Sequence, residues 1–127
     1  MKQILVVDDS ATMRRMVRAS LQSLPDVTFG EASTGLEAIE QLAISSVDLI
    51  VLDLNMPDMH GLEAIEFVRG HDLYRAIPIV VLTTRGDDNS RERAMSAGAS
   101  RYLTKPFDPR TLAREVLDLL KQPIAND

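Results

Sequence analysis

The sequence predicts an α/β fold built on a five-stranded, doubly wound parallel sheet. Three observations carry that expectation. The runs Ile4-Leu5-Val6-Val7, Leu49-Ile50-Val51-Leu52 and Ile79-Val80-Val81-Leu82 are short, continuous and rich in branched residues. Strands buried on both faces of a parallel sheet have that character. Between the runs lie segments whose apolar residues recur with a helical period. Five such strand–helix units joined by short connections require right-handed crossovers and helices on both sheet faces.

Taken in order, strands are expected near 3–7, 27–32, 48–53, 78–83 and 100–103. The second, carried by Val27, Phe29 and Ala32, has the weakest pattern. Helices are expected near 11–24, 35–45, 62–70, 88–97 and 109–121. Met13, Met16, Val17, Leu21 and Leu24 give the first helix one apolar face, so both methionines read as core packing. The adjacent Arg14 and Arg15 read as its solvated face. Leu112, Val116, Leu119 and Leu120 repeat the apolar pattern in the last helix. Thr34 and Glu37 have capping-box spacing, in which each side chain satisfies a free helix-end N–H. Asp108-Pro109 places an N-cap before a proline suited to the first helical position. Gly98 is placed to end the fourth helix.

A chain of 127 residues suits one domain, large enough to bury roughly two-thirds of its unfolded surface. We expect one domain over 1–122 and a short polar tail over 123–127. Nineteen acids against fourteen bases give a net charge of −5. With no lysine/arginine cluster, that balance argues against direct nucleic-acid binding. Cysteine is absent, which removes disulfides and thiol chemistry and fits a cytoplasmic setting. Met1-Lys2-Gln3 leads straight into the first strand, leaving no room for a signal peptide, and no apolar run is long enough for membrane insertion. The short tail after the last helix favours a free-standing form.

The chemistry is concentrated at strand ends. The first apolar run delivers Asp8 and Asp9, and the third strand delivers Asp53. Ligands of open parallel sheets bind beyond the carboxyl ends of the strands. If these two strands are neighbours, three acids share a pocket and need a compensating charge. Mg²⁺, a hard cation preferring oxygen ligands, is the natural candidate, and a backbone carbonyl from the loop Asn55–Gly61 could complete its oxygen shell. Thr83 and Thr84 end the fourth strand, and Lys105 follows the fifth. A hydroxyl and a mobile cation beside an acidic metal site suit a phosphoryl group. Taken singly, Thr83 is a good strand former and Lys105 a plain loop charge; the constellation is what points to a site. Asp53 is the candidate nucleophile, since a carboxylate can form an acyl phosphate while Asp8 and Asp9 hold the metal.

The same parts suit a Mg²⁺-dependent phosphohydrolase working through an aspartyl phosphate. That enzyme needs a second acid near the nucleophile and an enclosing cap, whereas position 55 is Asn and no cap is inserted. Nucleotide binding is weaker still: Ser10-Ala11-Thr12 is no glycine-rich loop, and no phosphate-loop motif occurs.

Val6-Val7-Asp8-Asp9-Ser10, Leu52-Asp53-Leu54-Asn55-Met56-Pro57, Gly61, Thr83-Thr84, Gly98-Ala99 and Tyr102-Leu103-Thr104-Lys105-Pro106-Phe107 together resemble the successive signatures of bacterial two-component response-regulator receiver domains. The segment from Asp9 to Arg15 is similar to that of the single-domain chemotaxis regulators. The resemblance covers nearly the whole chain. It implies a flavodoxin-like fold with strand order 2-1-3-4-5, and phosphotransfer to Asp53 from a partner histidine kinase or phosphotransfer protein. It also implies Mg²⁺ held directly by Asp9 and Asp53, through water by Asp8, and by the backbone carbonyl of Asn55. Thr83 and Lys105 would bind phosphoryl oxygens, and Thr83 with Tyr102, turning inward, would carry the signal. The output face would comprise the fourth helix, fifth strand and fifth helix, meeting a downstream protein target. Such a chain is a monomer able to dimerise on activation, and not an enzyme beyond self-phosphotransfer and slow autodephosphorylation. The Lys105–Pro106 peptide is expected to be cis. His60 stands where the family often carries an acid and reads as a loop or helix-start residue. Arg85 lies where water access to an acyl phosphate is tuned. Asp88 and Glu115 fall where flagellar-motor-binding regulators tend to have lysines, which argues against a motor target.

Overall fold

A computed structural model of the chain describes residues 1–56 and 60–121. Pro57, Asp58 and Met59, and the tail expected over 123–127, lie outside the described residues. Strands β1 (Lys2–Val7), β2 (Val27–Ala32), β3 (Leu49–Leu52), β4 (Ile79–Thr83) and β5 (Arg101–Thr104) alternate with helices α1 (Ala11–Leu21), α2 (Gly35–Ile44), α3 (Gly61–Gly70), α4 (Asp88–Ala97) and α5 (Pro109–Lys121). The strands form one sheet in the order β2-β1-β3-β4-β5, and every pairing is parallel.

The apolar runs sit where their continuity demands. From Ile4 to Val7 and throughout β3 and β4, every residue is buried, because these strands have a helix layer on both sides. Leu5 and Val7 face one layer with Leu42 of α2 and Ile65 and Val68 of α3. Ile4 and Val6 face the other with Val17 and Leu21 of α1 and Leu112 and Val116 of α5. The faint pattern of the second strand has a simple cause: β2 is an edge strand, with only Ala32 fully buried.

Helix ends follow local chemistry. Ser10 Oγ accepts from the Met13 N–H at 3.2 Å, and Thr34 Oγ1 from the Glu37 N–H at 3.0 Å. Glu37 Oε1 accepts from the Ser33 N–H at 2.8 Å, so the carboxylate reaches one residue further back than capping-box spacing suggests. Asp108 Oδ1 accepts from the Arg110 N–H at 2.9 Å. Gly98 ends α4 at φ +122°, and an added Cβ would lie 2.6 Å from Arg69 Cγ. The Lys105–Pro106 peptide is cis.

Three expectations are corrected. α1 stops at Leu21 rather than at 24. Pro25 disfavours helical geometry at Leu24, whose N–H closes a tight turn on the Leu21 carbonyl instead. Met16 is 50% exposed and packs in neither core layer. The buried line runs through Val17 and Leu21, and Met16 falls about 100° off it. Arg14 is no solvated surface charge: its side chain is only 16% exposed and is bonded to Glu31 and to the Asp8 carbonyl.

Candidate functional site

Register brings the strand-end residues together. Val7 pairs with Leu52 across β1 and β3, so Asp8 and Asp53 leave the sheet side by side. Their emergence is held by the last ladder bonds, from the Asp53 N–H to the Val7 carbonyl at 3.0 Å and from the Asp8 N–H to the Ala32 carbonyl at 3.1 Å. Thr83 pairs with Thr104, and the Lys105 N–H donates to the Thr83 carbonyl at 2.8 Å. Lys105 therefore enters over the same edge as the acids.

Asp8 and Asp53 are 4% and 6% exposed, Thr83 is fully buried, and Asp9 faces solvent. A carboxylate oxygen from each of Asp8, Asp9 and Asp53 lies within 4.8 Å of the others. Lys105 Nζ donates to Asp8 Oδ2 at 2.7 Å and stands 3.5 Å from Asp53 Oδ2. It is a largely enclosed counter-ion bridging two acids, not a loose loop charge. Burial raises the Asp53 carboxyl above its ordinary pKa. The Asn55 N–H, donating to Asp53 Oδ1 at 3.2 Å, and the Lys105 charge act against that rise. Asp8 Oδ1 accepts from the Ser10 N–H at 2.9 Å, which aims its other oxygen at Lys105.

Three carboxylates so grouped supply the hard oxygen donors a small divalent cation prefers. The donor set thus fits Mg²⁺.

Beyond the acids, Asn55 Oδ1 accepts from Arg85 Nε at 2.9 Å across the pocket mouth. The Arg85 N–H reaches Thr83 Oγ1 at 3.4 Å, and the Arg85 carbonyl accepts from the Tyr102 hydroxyl. Tyr102 is buried, which raises its phenol pKa, and the Arg91 guanidinium lies 5.9 Å from its ring centroid. Thr83 and Tyr102 are thus linked through one residue's backbone. Sequence reading placed Arg85 near the site but gave no sign of this bond. His60 precedes α3, outside the acid cluster, where its N–H donates to Glu63 Oε1 at 3.3 Å. Gly61 lies so close to the strand end that a Cβ would stand 2.5 Å from Leu54 Cα and 2.8 Å from the Asp53 carbonyl. Only glycine lets α3 start there.

A 2-1-3-4-5 parallel sheet carrying an acid cluster, a partly buried lysine and a buried threonine at one edge defines a receiver of the two-component type. Residues 4–117 match the response regulator receiver domain family, and the chain belongs to it. Members of this family are signalling proteins that accept a phosphoryl group, bind Mg²⁺ in an acidic pocket, and interact with histidine kinases or phosphotransfer proteins and with downstream targets. Among relatives, the chain is 39% identical over 119 residues to the chemotaxis protein CheY homolog of Campylobacter jejuni, covering 93% of this chain and 92% of that one. It is 38% identical over 115 residues to the chemotaxis protein CheY1 of Helicobacter pylori, covering 90% and 93%. The structure of the chemotaxis response regulator CheY4 of Vibrio cholerae superposes with a TM-score of 0.85 at 34% identity, covering 94% of this chain and 98% of that one.

Proposed function

We propose that this chain receives a phosphoryl group on Asp53 from a histidine kinase or phosphotransfer protein, in a chemotaxis or motility pathway. One observation carries the reading. A buried carboxylate at the end of the central strand sits between two further acids and a lysine 3.5 Å away. In the transfer, an Asp53 oxygen bonds to phosphorus as the phosphorus–nitrogen bond of phosphohistidine breaks, and that electron pair stays with the imidazole. Asp8, Asp9, Asp53 and the backbone carbonyl of Asn55 would hold Mg²⁺, whose charge offsets that of the phosphoryl oxygens. Lys105 binds one of those oxygens, and Thr83 donates its hydroxyl to another. Drawing Thr83 toward the new group alters its link through Arg85 to Tyr102. The face of α4, β5 and α5 then changes its affinity for a protein target. The chemotaxis assignment is supported by the Campylobacter, Helicobacter and Vibrio relatives, and it fits a cytoplasmic protein. Among the described residues no helix is long and apolar enough to cross a membrane.

The test is incubation with acetyl phosphate or phosphoramidate and Mg²⁺, followed by mass mapping. The expected label is one phosphoryl group on the peptide holding Asp53, absent from Asp53→Ala. Labelling that survives in that variant would move the acceptor elsewhere.

A further inference from the structure

The carbonyl of Asp8 has outrun the sheet. β1 spends its last ladder groups on the Val7 carbonyl, which accepts from Asp53, and the Asp8 N–H, which donates to Ala32. The next carbonyl is in the β1–α1 turn, where backbone acceptors must find a partner or remain exposed to loss of one. Arg14 supplies that partner, one turn into α1: its Nη1 donates to the Asp8 carbonyl at 2.6 Å. The same guanidinium donates through Nε to Glu31 Oε1 at 2.8 Å. Glu31 belongs to β2, and its second oxygen accepts from Arg18 at 2.6 Å. Arg18 is steadied in turn by the ring of Phe29, 5.5 Å from its guanidinium.

From this geometry we infer that Arg14 is a positioning residue of the acidic pocket. Its rigid fork ties the main chain that presents Asp8 and Asp9 to the edge strand, with Glu31 and Arg18 holding the fork in place. Only a guanidinium serves both acceptors: Nε faces the carboxylate while Nη1 faces the carbonyl, and a lysine offers one compact charge in place of that planar pair. Groups behind metal ligands that fix their orientation commonly contribute 10- to 100-fold in affinity. The inference rests on the proposed Mg²⁺ pocket.

Charge and position predict opposite signs here, which makes the role measurable. As a cation near the pocket, Arg14 should oppose Mg²⁺, so its loss by charge alone would tighten binding. As a positioning residue, its loss should weaken binding. The experiment is a Mg²⁺ titration of the full chain, followed by amide shifts, on wild type, Asp9→Asn, Arg14→Ala and Arg14→Lys, with urea melts of each. We expect wild type to bind, D9N to bind poorly, and both Arg14 variants to bind about tenfold more weakly in their folded state. R14K keeps the charge and gives the decisive comparison should R14A fold poorly. Faster exchange of the Ser10 amide should accompany the loss. Equal or tighter binding by R14K, beside a wild type that binds and a D9N that does not, overturns the positioning role and leaves the pocket reading intact. A wild type that does not bind Mg²⁺ overturns both.

Discussion

Asp53 is where the opposing demands on this pocket meet. Its carboxylate is held away from water beside Asp8, with Lys105 as their shared counter-ion. Because burial raises its pKa, ionising Asp53 costs the folded state something that the unfolded chain does not bear. Asp53→Ala should therefore be at least as stable as wild type near neutral pH in EDTA. Wild type should gain RT ln(1 + [L]/Kd) from Mg²⁺, about 1.4 kcal/mol at tenfold excess over Kd, and D53A less. Urea melts with EDTA and with saturating Mg²⁺ read both. A marked loss of stability in metal-free D53A, with an undiminished Mg²⁺ increment, would instead make Asp53 a structural anchor of β3. At Gly61 the expectation is sharper. Gly61→Ala places a Cβ against the Leu54 backbone and should cost about 1–3 kcal/mol, read as a lower urea midpoint.

Single elements show why some of this was legible in sequence and some was not. The central strands announce themselves by unbroken apolar runs, because two helix layers bury every position. Edge strand β2 alternates partly buried and exposed residues and so has no such run. The end of α1 depended on Pro25, a cue present in the sequence but outweighed by the apolar Leu24. Asp8, Asp9, Asp53, Thr83 and Lys105 were readable because strand ends converge. Contacts made by long side chains were not: nothing in the spacing of Arg14 and Glu31, or of Arg85 and Asn55, fixes which carboxylate or amide each arginine reaches. The α1–β2 tie also makes a pH prediction. Hydrogen bonding from Arg14, aided by Arg18, holds the Glu31 carboxyl below its usual 4.5. A depressed acid contributes stability above its unfolded pKa and loses it as pH falls through the folded value. The gap between wild type and Glu31→Gln should be constant from neutrality down to about pH 5 and then close under acid. It should be small, under about 1 kcal/mol, since the carboxylate is a third exposed and screened by solvent. Urea melts at low salt over that range would show it, and a gap that widened on acidification would contradict the lowered pKa.

Across the whole molecule, the sheet order that sequence marks alone left open decides which side chains meet. Placing β1, β3, β4 and β5 side by side gathers residues from four chain segments at one edge. The same order sets Thr83 next to β5, with Tyr102 bonded to the carbonyl of Arg85. A switch along this route requires two conformations separated by only a few kcal/mol, so that phosphorylation can shift their populations. Thr83→Ala should still take up phosphate on Asp53, yet its α4 amides should respond less to beryllium fluoride than those of wild type. Equal shifts in both proteins would exclude the Thr83 route.

α5 also separates the pocket from a convenient handle. It begins at Pro109, just past the pocket lysine, and runs thirteen residues back along the sheet, a distance of about 20 Å. Lys121 therefore stands at the opposite rim from Asp53. A dye or surface tether attached there leaves the mouth of the acidic pocket open. Immobilised protein can then be incubated with acetyl phosphate and washed, so that uptake reports the pocket itself rather than steric access.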